Sequence, residues 1–380
     1  MKKIAEILLI FFLVTACAQD VLIRSLPPAL NGYLAYGGNN SHNFYFPIAV
    51  SDSITLKWET GTYGSYNNSS IVAYDKYVLV HDLAGRITCL DLNNGKEIGT
   101  TIYEGEINAA PVLYRGRMFF IVNNREEKYS TAYYFDLNDG KIISQSQIPG
   151  SFNSQILKNA DGFIAISYQG VIYKFNLAGL VEWKYDTGVK VISNPALAGN
   201  KLIYASMTGE LSCIDIQTRK KIYAVKTAAG FSGGITLADS SGFIGDEKGN
   251  LFCFNISNGE NNWTYDTGAE IKNQPVCNGE NVIVSNLGGE IISLDVRTGK
   301  LIWKTTLSGV AYATPLLFTN LVVQPNMDSY IYLLNSSNGA ILKRIKTRGR
   351  MKLSPVYFNG MMILGYDKGN IGAFEVREVK

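Results

Sequence analysis

Apolar and polar residues alternate with a period of two over many short stretches, and no capped segment shows the 3.6-residue period of a helix. The clearest stretch runs from Leu287 to Trp303. There Ile291, Ser293 and Asp295 alternate with Ile292, Leu294 and Val296. Arg297-Thr298-Gly299 then signals a turn, and Lys300 to Trp303 opens another strand. The chain repeats this unit. With Gly289 as the marker, equivalents lie at Gly249, Gly209 and Gly170 going back, and at Ser329 and Gly369 going forward. Two more, Gly85 and Ser130, stand near the start. In every copy an Asp, Asn or Glu follows the marker by six positions, from Asp91 to Glu375, where it suits turn capping. Pro111, Pro195, Pro275, Pro315 and Pro355 form a second landmark, about 26 positions after the marker. A period of about 40 residues built from short strands predicts an all-β fold, an eight-bladed β-propeller with four-stranded antiparallel blades.

The two ends of the pattern are complementary. Ser53 to Gly61 reads as the last strand of a repeat, like Val181 to Gly188, yet no marker precedes it. Gly369 to Val376 reads as a third strand with no fourth after it. The strand at residues 54–60, around Trp58, is therefore expected to complete the blade begun by residues 352–376 and so close the ring. The step from Gly85 to Ser130 is the longest, and its extra length is placed near Asn123 to Lys128 as a charged surface loop. Trp58, Trp183, Trp263 and Trp303 share one fourth-strand position, so they are expected to pack between neighbouring blades.

Composition agrees with a large core. Of 380 residues, 46% are apolar and only 18% charged. The net charge of +3 is too small to point to nucleic acid.

The start of the chain carries a different signal. Lys2 and Lys3 precede the apolar run Ile7 to Val14, which is short for a membrane span and suits a signal sequence. Val14-Thr15-Ala16-Cys17 resembles a bacterial lipobox. That resemblance implies residues 1–16 as a signal peptide, Cys17 as the lipidated residue and 17–32 as a tether, leaving 33–380 as a single propeller. Ala18, rather than Asp, after the lipidated Cys implies the outer membrane.

Candidate chemistry is sparse. His42 and His81 are the two histidines and lack metal-ligand spacing. Cys89, Cys213 and Cys253 each sit four residues after a marker, as small core residues would, and a bridge between Cys213 and Cys253 is not favoured. Gly37-Gly38-Asn39-Asn40 and Gly230 to Gly234 precede no helix with a Lys and are not phosphate loops. No catalytic constellation, metal site or cofactor is expected.

Leu294-Asp-Val-Arg-Thr-Gly-Lys-Leu-Ile-Trp303 resembles the tryptophan-docking repeat of quinoprotein propellers. The resemblance implies the fold. Members that oxidise alcohols use pyrroloquinoline quinone and calcium, with a disulfide between adjacent cysteines, and here the cysteines are far apart. Lipobox, length and eight repeats together resemble the BamB family of outer-membrane lipoproteins. The resemblance implies a noncatalytic, monomeric scaffold for β-barrel assembly that binds the periplasmic POTRA domains of a BamA-like central subunit. In that family the contacts come from loops joining mid-chain blades. By chain position these fall at Gly188 to Asn194, with Val189, Lys190, Val191 and Ile192, and at Thr227 to Gly234, with Phe231. The second loop lacks the family's aspartates. A quinone-dependent dehydrogenase, and a propeller binding another envelope component such as glycan, are the alternatives.

Replacing the anchor tests the N-terminal reading. Cys17→Ser is expected to abolish lipidation and release the protein from membranes; the check is fractionation after a salt wash.

Overall fold

The computed structural model describes residues 32–62, 64–124, 128–227, 229–367 and 369–379. The signal sequence, Cys17 and most of the tether lie outside them. Each repeat folds as predicted into four antiparallel strands. The innermost begins just after the landmark proline, and the markers sit in the turn between second and third strands, except Ser130, which lies at the start of the third strand of blade 2. In the sixth blade the strands are Val276–Cys277, Asn281–Ser285, Glu290–Asp295 and Leu301–Thr306. The turn after the third strand is capped from its end in blades 1 to 7: Asp295 Oδ1 accepts the amide hydrogens of Arg297 and Thr298 at 3.1 and 2.8 Å, and Asp215 does the same for Gln217 and Thr218. In blade 2 part of the extra length goes into the strands themselves, Tyr129–Asp136 and Lys141–Pro149; residues 125–127 lie outside the described part.

The ring closes where the pattern places it. Strand Thr55–Gly61 pairs antiparallel with Asn370–Glu375 and becomes the outermost strand of blade 8. Trp58 from this strand reaches blade 1, and its indole donates to the Leu92 carbonyl at 2.8 Å.

Near the channel, side chains before or beside the landmark prolines tie each blade to the next. Asn67 donates to the Asn108 carbonyl and Asn108 to Asn153. The Gln155 amide donates to Asn194, and the Ile235 amide to the Asn194 carbonyl. Gln274 donates to Thr236, and its amide to Thr314. Thr314 donates to Ser354, which donates to Asn68 at 3.2 Å and returns the circuit to blade 1. Gln155, Thr236, Gln274, Thr314 and Ser354 are buried, so each satisfied pair among them avoids a desolvation cost of about 1–3 kcal/mol.

One feature was not legible in the sequence pattern. Residues 32–51 run around the inside of the ring as a belt, touching the innermost strands of all eight blades in chain order. Gly32 and Tyr33 pair with Tyr74 and Ala73 of blade 1. Carbonyls of Leu34, Asn40, Ser41, Asn43 and Phe44 then accept from Leu113, Leu197, Leu237, Cys277 and Leu317, at 2.8 to 3.1 Å. The Asn40 side chain accepts from the Lys158 amide of blade 3, and Ser51 donates to the Arg377 carbonyl beyond the third strand of blade 8. Innermost strands present an unpaired edge to the channel, and the belt satisfies it. Tyr36, His42 and Phe44 are buried there, with Tyr36 edge-on to both other rings at 5.1 Å.

Blade-to-blade packing rests on the docked tryptophans. Trp263 donates to Val296 at 2.9 Å and Trp303 to Ser336 at 2.8 Å, each across to the next blade. Trp303 is 6% exposed, so Trp303→Ala is expected to cost about 3–5 kcal/mol, read as a lowered denaturation midpoint with an unchanged slope.

Candidate partner-binding surface

The loop between blades 3 and 4 is held on both sides by the turns that carry the markers. Thr187 donates to the Gly170 carbonyl and Val191 to the Tyr168 carbonyl, at 3.1 and 3.0 Å. From the other side Met207 donates to the Lys190 carbonyl at 2.9 Å. Gly188 takes φ 74° at the head of the loop, where Asp186 accepts its amide hydrogen. The next loop repeats the scheme: Thr227 donates to Gly209, Phe231 to Ser206, and Glu247 to Gly230.

This frame sorts the predicted contact residues. Lys190 is exposed, with its ammonium 5.4 Å from the Tyr168 ring centre, and Val189 and Ile192 are half-buried. Val191 and Phe231 are not surface residues. Both are fully buried, Val191 among Ile166, Leu202 and Tyr204, and Phe231 among Ala205, Leu211 and Ile244. Expecting their side chains to be open to a partner is therefore corrected: they plug the gap between adjacent blades. The repeat carried the signal, since residues 191, 231, 271, 311 and 351 are forty apart and all are buried apolar residues. The position just before each plug faces outward more: Lys190, Glu270, Val310 and Arg350 are half-buried to exposed there.

A second surface feature went unread in the sequence. Lys343, Arg344, Lys346, Arg348, Arg350 and Lys352 run along the outermost strand of blade 7 and into the loop toward blade 8. Arg348 pairs with Glu59 at 3.0 Å and Arg350 with Asp367 at 2.6 Å. Counting charges in a short window would have found it.

The groups that chemistry would use are buried and held neutral. Burial lowers the His42 pKa to about 3 and that of His81 to about 4. Cys89, Cys213, Cys253 and Cys277 are buried and unbridged. Burial raises all four thiols, to about 12 for Cys89, Cys213 and Cys277, so they stay protonated and poorly nucleophilic.

The family model described as outer membrane protein assembly factor BamB matches residues 50–265, 207–350 and 266–378. The chain belongs to the BamB family. A BamB of Burkholderia pseudomallei (strain K96243) is 23% identical over 265 residues, 63% of this chain and 68% of that protein. A BamB of Francisella salina is 24% identical over 171 residues, 45% of this chain; the match spans only 24% of that relative's length. Among solved structures, BamB from Moraxella catarrhalis superposes with a TM-score of 0.72 at 15% identity, over 85% of this chain and 99% of that one. Quinohemoprotein alcohol dehydrogenase from Comamonas testosteroni gives 0.75 at 11% identity, over 90% and 80%. At these identities the two structures speak for the propeller fold alone.

Burial makes one substitution diagnostic. Val191→Asp would place an unpaired carboxylate between two blades and is expected to cost about 3 kcal/mol or more, whereas Lys190→Glu should leave the melting temperature nearly unchanged. Thermal unfolding of both variants checks this.

Proposed function

We propose that this BamB-family chain is a noncatalytic, lipid-anchored scaffold of the outer membrane, facing the periplasm and assisting β-barrel insertion. The observation that carries the proposal is the family match, which runs from residue 50 to 378 and so takes in nearly the whole ring. The loop between blades 3 and 4 is its contact for POTRA domains of a BamA-like subunit. Exposed Lys190, flanked by half-buried Val189 and Ile192, offers a cation beside small apolar area on a loop fixed from both sides. Val191 and Phe231 support this contact from beneath, by holding the loops in place.

The test is binding of a purified POTRA region to the ring. Lys190→Glu is expected to weaken it about tenfold, ~1.4 kcal/mol, mainly through slower association that depends on salt. Unchanged affinity would remove this loop from the interface.

The second reading is a quinone-dependent dehydrogenase, motivated by the resemblance of Leu294 to Trp303 to the tryptophan-docking repeat of quinoprotein propellers. Saturable binding of pyrroloquinoline quinone with calcium, accompanied by dye reduction, would favour it over the scaffold.

A further inference from the structure

The eight-fold repeat exposes places where one blade departs from the rest, and departures that cost packing are where function concentrates. Two converge on Trp183. The residue directly opposite each tryptophan on the third strand is small in three blades: Ala373 faces Trp58, Cys253 faces Trp263 and Ser293 faces Trp303. Opposite Trp183 stands Lys174. The second departure is in the turn that receives the indole. Gly95, Gly299 and Gly339 lie flat against Trp58, Trp263 and Trp303, so close that a Cβ at any of them would overlap the ring. The equivalent turn position in blade 4, four residues after Asp215, is Arg219, held at φ 60°. A side chain there blocks the docked position. Accordingly, among the described residues, the Trp183 indole makes none of the cross-blade hydrogen bonds seen for the other three.

The gap left between blades 3 and 4 is a cavity of about 650 Å³. That is within the range of about 300–1,000 Å³ usual for small-molecule sites. Trp183 lines one side, with apolar Leu197 and Ile216 nearby. Lys174, 2% exposed, holds its ammonium 3.0 Å from both Asp161 and Glu182 and donates to the Phe175 carbonyl. Lys158, whose ammonium lies 4.3 Å from the Tyr114 ring centre, is the second cation. Two ammonium groups against two carboxylates leave the lining neutral. Amides complete it: Asn40 from the belt, Asn200 and Gln217, together with Asn159, whose Oδ1 is buried without a partner.

We propose that this cavity is a saccharide-binding site. A neutral lining of amides and paired charges matches hydroxyl groups, which both donate and accept, better than it matches an ion. A half-exposed indole offers a flat apolar face for the C–H side of a sugar ring and an N–H for an oxygen at its rim. The cavity sits among the turns joining first to second and third to fourth strands. The loop proposed for POTRA binding lies at the opposite end of the strands, so the two sites are separable.

Tryptophan emission of the purified protein, titrated with N,N′-diacetylchitobiose and with maltose, tests the proposal, with succinate and inorganic phosphate as charged controls. At least one saccharide is expected to shift the emission saturably by about 10 mM, which would fill a site of millimolar affinity. Trp183→Ala is expected to weaken that binding at least tenfold. Arg219→Gly is expected to let Trp183 dock, raising the melting temperature while weakening the saccharide at least tenfold; it carries the test if Trp183→Ala fails to fold. No response to either saccharide, a response to the anions instead, or affinity undiminished in Arg219→Gly would each overturn the proposal.

Discussion

Everything in this ring depends on one antiparallel seam, the pairing of Thr55–Gly61 with Asn370–Glu375. Each blade has an inner edge and an outer face that only its neighbours cover, so a gap between any two blades would expose apolar surface on both. The seam prevents that at the one place where chain connectivity cannot. Trp58 then extends closure from blade 8 to blade 1 by the same indole-to-carbonyl contact that joins blades 5 to 6 and 6 to 7. The covalent discontinuity is thus packed almost like any other interface. This uniformity gives the loops at the strand ends a stiff frame.

What was legible in the sequence, and what was not, follows from periodicity. Features that recur every forty residues could be read: strands, capped turns, the position of Trp303 and its equivalents, and the closing strand, since its repeat was visibly incomplete. The belt could not be read, because Tyr36 to Phe44 has no counterpart elsewhere in the chain and its hydrogen bonds are made by main-chain carbonyls. Val191 and Phe231 look like surface residues only within their own loops, whereas the spacing of 191, 231, 271, 311 and 351 marks a repeated core position. Arg219 shows the value of exceptions. Its place is legible as the one turn in which the glycine received by a tryptophan is replaced, but that this opens space required the structure.

Family membership and site chemistry bear on different parts of the molecule. Nearly the whole ring carries the family match, and the propeller fold itself is shared with a protein of another activity. Buried neutral histidines and protonated thiols leave the core chemically quiet. Individual character is confined to loops such as that at Lys190, to the basic run from Lys343 to Lys352, and to the loosened junction between blades 3 and 4.

The belt has a consequence for the order of assembly. Residues 32–51 leave the site of synthesis before any blade does, yet their partners are spread over all eight blades, the last of them near Arg377. Neither the belt nor the strand at Trp58 has a complete set of partners until almost the entire chain is present. Pairings of such long sequence separation form slowly and late. Until then the growing stack of blades carries an open strand edge at blade 1 and an unlined channel, both surfaces prone to wrong pairing. The finished ring hides its edges well, and the cost of that design falls on the interval before its two ends meet.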